Sequence, residues 1–338
     1  MIAFVCVCHR GEMELKTAFL LHTLKKYLLV PHKIYVAIPQ NIPHFTPPTE
    51  LMYQFFKKNG VKLIYFMNPL LILRDTVIKG DYTSNKVFAL SYPFEEDVIV
   101  FLDSDIALLR ASDFQVFFQP ESDIIVKTAN RANVNSWEKI YRAADQQFPS
   151  SQIITSLDKT RLSPYFNSGV IGISQVIRSK FQSAWHEYMA WLWDPEISQR
   201  LEIPLFHRDQ VALSLAINKL NLKVSLLPEE YNFPLRGRKI DPNHIPVMVH
   251  YHHPYSICSN DQLQKEFIQF LQQTTEINSL IRQHKKWGNL FASNKIKKLY
   301  SINLEKIRYQ KSFLKKRLSL ILDHIISALI PSKNIFKT

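Results

Sequence analysis

The sequence predicts an α/β protein: a doubly wound, mostly parallel sheet with helices on both faces, followed by a C-terminal helical extension. Three observations carry that expectation. Apolar, β-branched runs alternate with helix-period stretches through the first hundred residues, the pattern of strands joined by crossover helices. The first run, residues 2–8, has no polar break, as expected of a strand buried on both faces. Seventeen of the 18 prolines lie between Pro31 and Pro254, so residues 255–330 are proline-free and suit long helices, with a break near Gly288. These features divide the chain into a sheet domain at about 1–258 and a basic, amphipathic helical extension at 259–338.

In order along the chain, strand 2–8 is followed by a helical stretch at 14–27 and a second strand at 33–38 that Pro39 should end. A helix at 50–59 is stopped by Gly60, and strand 61–66, a helix at 84–91 and strand 98–102 complete the alternation. Beyond it the pattern is more mixed. Residues 165–173 read as a strand, 175–193 as a long aromatic helix and 209–219 as a helix, with short strands at 224–227 and 247–251. Sheets of this kind bind ligands outside the carboxyl ends of their strands. That singles out Cys8, His9 and Arg10 after the first strand, and Asp103, Ser104 and Asp105 after the strand at 98–102.

The composition, 46% hydrophobic and 21% charged over 338 residues, is that of a protein with a sizeable core. Only seven glycines occur, none in a GxGxxG or GxxxxGK[ST] frame, which excludes the glycine-rich phosphate cradles. The three cysteines, Cys6, Cys8 and Cys258, make neither a disulfide framework nor a CxxC motif, and a reducing compartment fits them best. The N-terminus lacks the pattern of a signal peptide, and no run approaches 18 apolar residues, so a cytoplasmic location is expected.

The sharpest local feature is the run Asp97-Val98-Ile99-Val100-Phe101-Leu102-Asp103-Ser104-Asp105, an apolar strand ending in two aspartates separated by a small residue. Two such carboxylates can converge on a hard cation, which needs oxygen ligands, and a cation there could neutralise a diphosphate leaving group. Turn-forming aspartates at a strand end are the plain alternative.

This segment resembles the DxD motif of GT-A-fold glycosyltransferases, in particular the glycogenin-like family 8 group, which includes bacterial lipopolysaccharide galactosyltransferases, or a sister family. Three further segments match in order. The run from Tyr165 to Ile173, with Asn167, Ser168 and Gly169, is similar to the family's "FNSGV" strand, which lines the sugar pocket. His207-Arg208-Asp209-Gln210 resembles its "DQ" motif, which implies that Asp209 holds donor-sugar hydroxyls and that Gln210 lies near the anomeric carbon; an N-terminal helix acid is the ordinary use of Asp209. Val247-Met248-Val249-His250-Tyr251-His252-His253 ends a late strand, and the resemblance makes His250 the third protein ligand of the metal beside Asp103 and Asp105. Lys86, and more weakly Arg74, occupy places that imply contact with the donor, and Cys8, His9 and Arg10 fall where the nucleotide is expected. Where the family continues with a Gly-x-x-Lys-Pro-Trp-like segment, this chain reads His253-Pro254-Tyr255-Ser256-Ile257.

The resemblance therefore implies a Mn2+- or Mg2+-dependent hexosyltransferase that uses a nucleotide diphosphate sugar, with uridine diphosphate as the expected carrier, and a glycan or lipid-linked acceptor. Retention of anomeric configuration is implied; an inverting enzyme would need a carboxylate base, a role open to Asp209. The competing readings are an inactive membrane-associated scaffold of the same fold and a metal-dependent phosphotransferase or nucleotidyltransferase. Against the last two, Ala107 replaces the Thr of a DxDx[TV] phosphatase motif, and Cys8-His9-Arg10-Gly11-Glu12 is a poor glycine-rich loop.

The net charge of +13 is concentrated in the tail: residues 282–338 carry 14 Lys and Arg against Glu305 and Asp323. Leu314, Leu318, Ile321, Ile325 and Leu329 recur at helical spacing. Such a helix could lie on an anionic membrane surface, making the protein peripheral on the cytoplasmic face, or pack on the sheet domain. Nucleic acid is not an expected partner, because no reader motif accompanies the basic residues.

Overall fold

The computed structural model describes residues 1–40, 45–72, 81–134, 136–235 and 238–288. Arg74 and the amphipathic stretch 314–329 lie outside the described residues.

The alternation read from the sequence is present. Strand β1 (Ile2–Val7) leads to α1 (Glu12–Tyr27), β2 (His32–Gln40), α2 (Glu50–Lys58), β3 (Lys62–Met67), the short α3 (Pro69–Ile72), α4 (Asn85–Ala89) and β4 (Val98–Leu102). After β4 come β5 (Ile106–Leu108), β6 (Ile124–Thr128), α5 (Trp137–Ala143), β7 (Ile153–Ile154), β8 (Arg161–Leu162) and β9 (Phe166–Ser174). The remainder is α6 (Arg178–Trp193), α7 (Pro195–Arg200), α8 (Arg208–Lys219), β10 (Val224–Leu226), β11 (Phe233–Pro234), β12 (Met248–His250), α9 (Pro254–Cys258), α10 (Asp261–Gln273), α11 (Asn278–Gln283) and α12 (Lys285–Gly288).

Seven strands form the main sheet in the order β10-β6-β9-β4-β1-β2-β3. Strand β9 runs antiparallel to both neighbours, and the other pairings are parallel. Every residue of β1 is buried, as its unbroken apolar run requires. A second sheet of order β11-β12-β5 stands beside the main one, and β7 and β8 form a small hairpin pair.

Pro39 does not end β2, which continues to Gln40 and pairs Pro39 with Phe66 of β3. The Ala37 carbonyl faces β1, where it accepts from the Cys8 N–H at 2.9 Å. Pro39, two residues on, turns the same way, but β1 has already ended, so no donor is missed.

Residues 255–288, the part of the proline-free stretch that is described, depart from the expectation of long helices. Among the described residues the longest helix there is α10, of 13 residues. Its C-terminal turn is closed by Thr274, whose hydroxyl donates to the Phe270 carbonyl at 2.6 Å. Helix α10 packs on α1: Lys26 pairs with Glu266 at 2.9 Å, and the Phe19 and Phe267 rings meet edge to face at 5.2 Å. The first compact unit therefore runs from Met1 to Ile281 rather than ending near 258; the second comprises Arg282–Thr338. No described helix is long and apolar enough to cross a membrane.

Candidate functional site

Pairing register builds the site at the carboxyl ends of β1 and β4, where the strand order changes direction. Asp103 leaves β4 with its N–H donated to the Gly169 carbonyl at 2.8 Å, so the antiparallel β4–β9 pairing lays Asn167–Gly169 alongside it. Antiparallel β5–β12 pairing sets His250 opposite Ile106, and the Tyr251 N–H donates to the Asp105 carbonyl at 3.0 Å. Ile106 and His250, 144 positions apart in sequence, thus become neighbours, and four strands meet at the site.

The result is a charged cluster. His250 Nε2 lies 2.9 Å from Asp105 Oδ1 and 4.0 Å from Asp103 Oδ2. Asp105, His250 and His252 bring their ligand atoms within 4.8 Å of one another, a spacing that could hold a metal ion. His252 lies two residues beyond the end of β12, and its ring is 3.8 Å from that of His250. His252 itself adopts a left-handed backbone, φ 53°.

Two lysines balance the carboxylates. Lys86 Nζ, on α4, bridges Asp103 Oδ1 and Asp209 Oδ2, both at 3.0 Å, and donates to the Ser168 hydroxyl at 3.0 Å. Lys16 Nζ, on α1, reaches Asp105 Oδ2 at 3.3 Å and the His252 carbonyl at 3.4 Å. Burial opposes the charge of Lys86, but Asp103 and Asp209 outweigh it and raise its pKa. Burial likewise works against ionised Asp105, yet the Lys16 ammonium beside it holds its carboxyl well below the usual range. Asp103 goes the other way, raised chiefly by burial.

Asp209 opens α8 and is 2% exposed. Its Oδ2 accepts from Lys86 and from the Ser168 hydroxyl, the latter at 2.5 Å, while buried Oδ1 has no hydrogen-bond partner among the described residues. A buried carboxylate oxygen left this way is costly unless a ligand donor meets it. Gln210 follows on the same first turn, half-buried.

Several other expected residues lie here with their side chains engaged inside the protein. The Ser104 hydroxyl donates to the Val7 carbonyl at 2.6 Å, tying the β4 exit to the end of β1. Cys8 is fully buried, and burial pushes its thiol well up. His9 packs against Phe45 at 4.4 Å, and Arg10 Nε donates to the Pro47 carbonyl at 3.1 Å. Asn167 Oδ1 accepts from the Gly169 N–H at 2.8 Å and from Asn232 Nδ2 at 2.7 Å. A Cβ at Gly169 would come within 2.9 Å of His250 Cε1, so this glycine makes room for the histidine.

Lys16, Asn232 and His252 escape the sequence reading. His252 was visible in the histidine run but carried no spacing that distinguished it from its neighbours. Lys16 sits one turn into the helix after β1, where a charge facing the site is a general expectation of the fold. Asn232 has no local signal at all.

A family model described as a Rhodobacterales glycosyltransferase domain matches residues 4–221. No curated protein matches the sequence. Among solved structures, an active-site mutant of LgtC is similar at 13% identity and a TM-score of 0.52, covering 79% of this chain and 94% of that one. The galactosyltransferase LgtC in complex with donor and acceptor sugar analogues gives 13% identity, 79% and 95% coverage and a TM-score of 0.49. Mouse xyloside xylosyltransferase 1 in its apo form gives 12%, 74%, 96% and 0.42.

Proposed function

The chain belongs to the Rhodobacterales glycosyltransferase domain family, and on that footing we propose that it moves a hexose from a uridine diphosphate sugar to a glycan or lipid-linked acceptor, with metal dependence and retention of configuration. It is a glycosyltransferase of GT-A fold. The observation that carries the finer reading is the convergence of Asp105, His250 and His252, with Asp103 alongside, at the carboxyl edge of the sheet.

The donor set fits Mn2+ or Mg2+ through its carboxylates and admits Mn2+ through its imidazoles. Charge gives a second argument. Asp103, Asp105 and Asp209 against Lys16 and Lys86 leave the cluster one charge negative with neutral histidines. A nucleoside diphosphate would be repelled there, and a dication reverses the sign. When bound, the metal would neutralise charge on the departing diphosphate.

The chain's own residues supply the rest. Lys86 fixes Asp103 and Asp209 relative to each other, and Asp209 Oδ1 is free to accept a hydroxyl of the donor sugar. Gln210, on the same turn, takes in this reading the role of facing the reacting end of that sugar. LgtC, whose fold this chain shares, is named in complex with donor and acceptor sugar analogues, which supports a donor–acceptor pair here. The basic stretch 282–338 is proposed to attach the enzyme to an anionic membrane surface on the cytoplasmic side, supported by its 14 basic against two acidic residues.

Calorimetry of nucleotide sugars with and without Mn2+, on the wild type and on Asp103→Ala plus Asp105→Ala, tests the reading. Mn2+-dependent binding of one uridine diphosphate sugar, lost in the double variant, is expected. Equal binding with and without metal overturns the metal dependence, and no binding by folded protein overturns the transferase assignment of this site.

A further inference from the structure

We infer that Asn167 and Asn232 form a relay that fixes the protonation pattern of His250, directing its Nε2 lone pair at the cation; this rests on the reading of the cluster as a cation site. The backbone N–H of Gly169 can only donate, and it donates to Asn167 at 2.8 Å. The Asn167 atom there must be the carbonyl oxygen.

That same oxygen lies 2.7 Å from the Asn232 amide, so the Asn232 group facing it must be NH2. The Asn232 carbonyl oxygen is thereby turned towards His250 Nδ1, 3.0 Å away. An amide oxygen can only accept, so Nδ1 carries a proton. Nε2 is left to face Asp105 Oδ1 at 2.9 Å. With a neutral ring two lone pairs oppose each other, an arrangement that a cation standing beside both atoms and within reach of each resolves. Outer partners of this kind orient a metal-binding imidazole and decide which nitrogen is available.

The relay is built to resist rotation. His250, Asn232 and Asn167 are 4%, 2% and 6% exposed, so water cannot easily substitute for a missing link. Asn232 adopts a left-handed backbone, φ 58°, a conformation that asparagine tolerates well. Lys127 of β6 clamps that turn from below, its ammonium donating to the Glu229 carbonyl at 3.2 Å and the Asn232 carbonyl at 3.0 Å. Gly169 closes the assembly, since a Cβ there would stand 2.9 Å from Asn167 Oδ1 and 3.0 Å from His250 Nδ1.

Asn167 and Asn232 are positioning residues, and the test uses the full chain with Mn2+ alone as probe. Asn232→Gly keeps the left-handed turn and deletes the relay; Asn167→Asp keeps the acceptor that both its donors need. The expected result is a loss of Mn2+ affinity of roughly 10–100-fold in Asn232→Gly by electron paramagnetic resonance, with Asn167→Asp close to wild type. Nitrogen-15 spectra should show a slowly exchanging proton on His250 Nδ1 in the wild type, lost in Asn232→Gly while the melting curve stays cooperative. If Asp105→Ala abolishes Mn2+ binding but Asn232→Gly leaves both affinity and the Nδ1 proton intact, the relay is wrong. If the wild type and Asp105→Ala bind Mn2+ alike, the cation reading fails instead, and the relay is decided by the Nδ1 proton, which needs no metal.

Discussion

Replacing Lys86 by methionine probes the cluster where its electrostatics are most concentrated. The ammonium is 7% exposed and stands 3.0 Å from one oxygen of Asp103 and 3.0 Å from one of Asp209. Methionine fills similar space but leaves both carboxylates without their cation. Asp103 is 26% exposed and can recover water, whereas Asp209, 2% exposed with Oδ1 already unpartnered, cannot. The cost is therefore close to that of breaking one buried pair, about 3–5 kcal/mol, rather than twice that. Urea unfolding at neutral pH in a metal chelator measures it, because a bound dication would mask part of the loss. The companion variant Lys86→Met plus Asp209→Asn removes the stranded charge while keeping an oxygen that accepts from Ser168. It should recover about 2 kcal/mol or more of the loss, a coupling typical of contacting residues. A Lys86→Met penalty below about 1 kcal/mol, the range of an exposed ion pair, would refute the argument. So would a double variant no more stable than the single one.

Two other outcomes follow from charges elsewhere. Burial, with Arg238 and Lys159 adding repulsion, pushes the Lys127 ammonium down to about 8, from the ordinary 10.5. Between those values the unfolded chain holds a proton that the folded chain has released, so this residue makes stability rise with pH, by up to about 3 kcal/mol. The stability difference between wild type and Lys127→Met, from urea curves at pH 7.5 to 10, should grow in that direction; parallel curves would contradict it. In the tail, Leu318→Asp plus Ile321→Asp should release the protein from anionic liposomes while neutral liposomes bind neither form, and unchanged co-sedimentation counts against membrane attachment.

How much of this was legible in the sequence depended on how local each signal was. Strands β1 and β4 and helix α1 follow from hydrophobic period alone, and the carboxylate pair is visible because strand and ligands are contiguous from Val98 to Asp105. The β2 boundary was misjudged at Pro39 because the missing donor matters only if a neighbouring strand is still there to receive it, which is a property of β1. The division near 258 followed proline usage, but α10 is held by Glu266 meeting Lys26 and Tyr27 across 240 and 239 positions, contacts that composition does not encode.

The same distinction governs the site. Asp103 and Asp105 stand out by type and spacing, Lys86, Asp209 and His250 follow only from the family resemblance, and the fold brings all five together. What each side chain does with its hydrogen bonds was not recoverable, because that is fixed by partners from other strands. Ser104 turns inward because Val7 offers a carbonyl at the end of β1. Asn167, read as a sugar contact, has its oxygen occupied by Gly169 and Asn232. Asn232 itself could not have been named, since its meaning comes from standing between an asparagine 65 positions earlier and a histidine 18 positions later. The groups that bear charge are thus legible one at a time, while those that set their direction exist only as pairs. A search for positioning residues in such a chain must begin from a backbone donor of fixed role, as Gly169 provides here, and follow the hydrogen bonds outward.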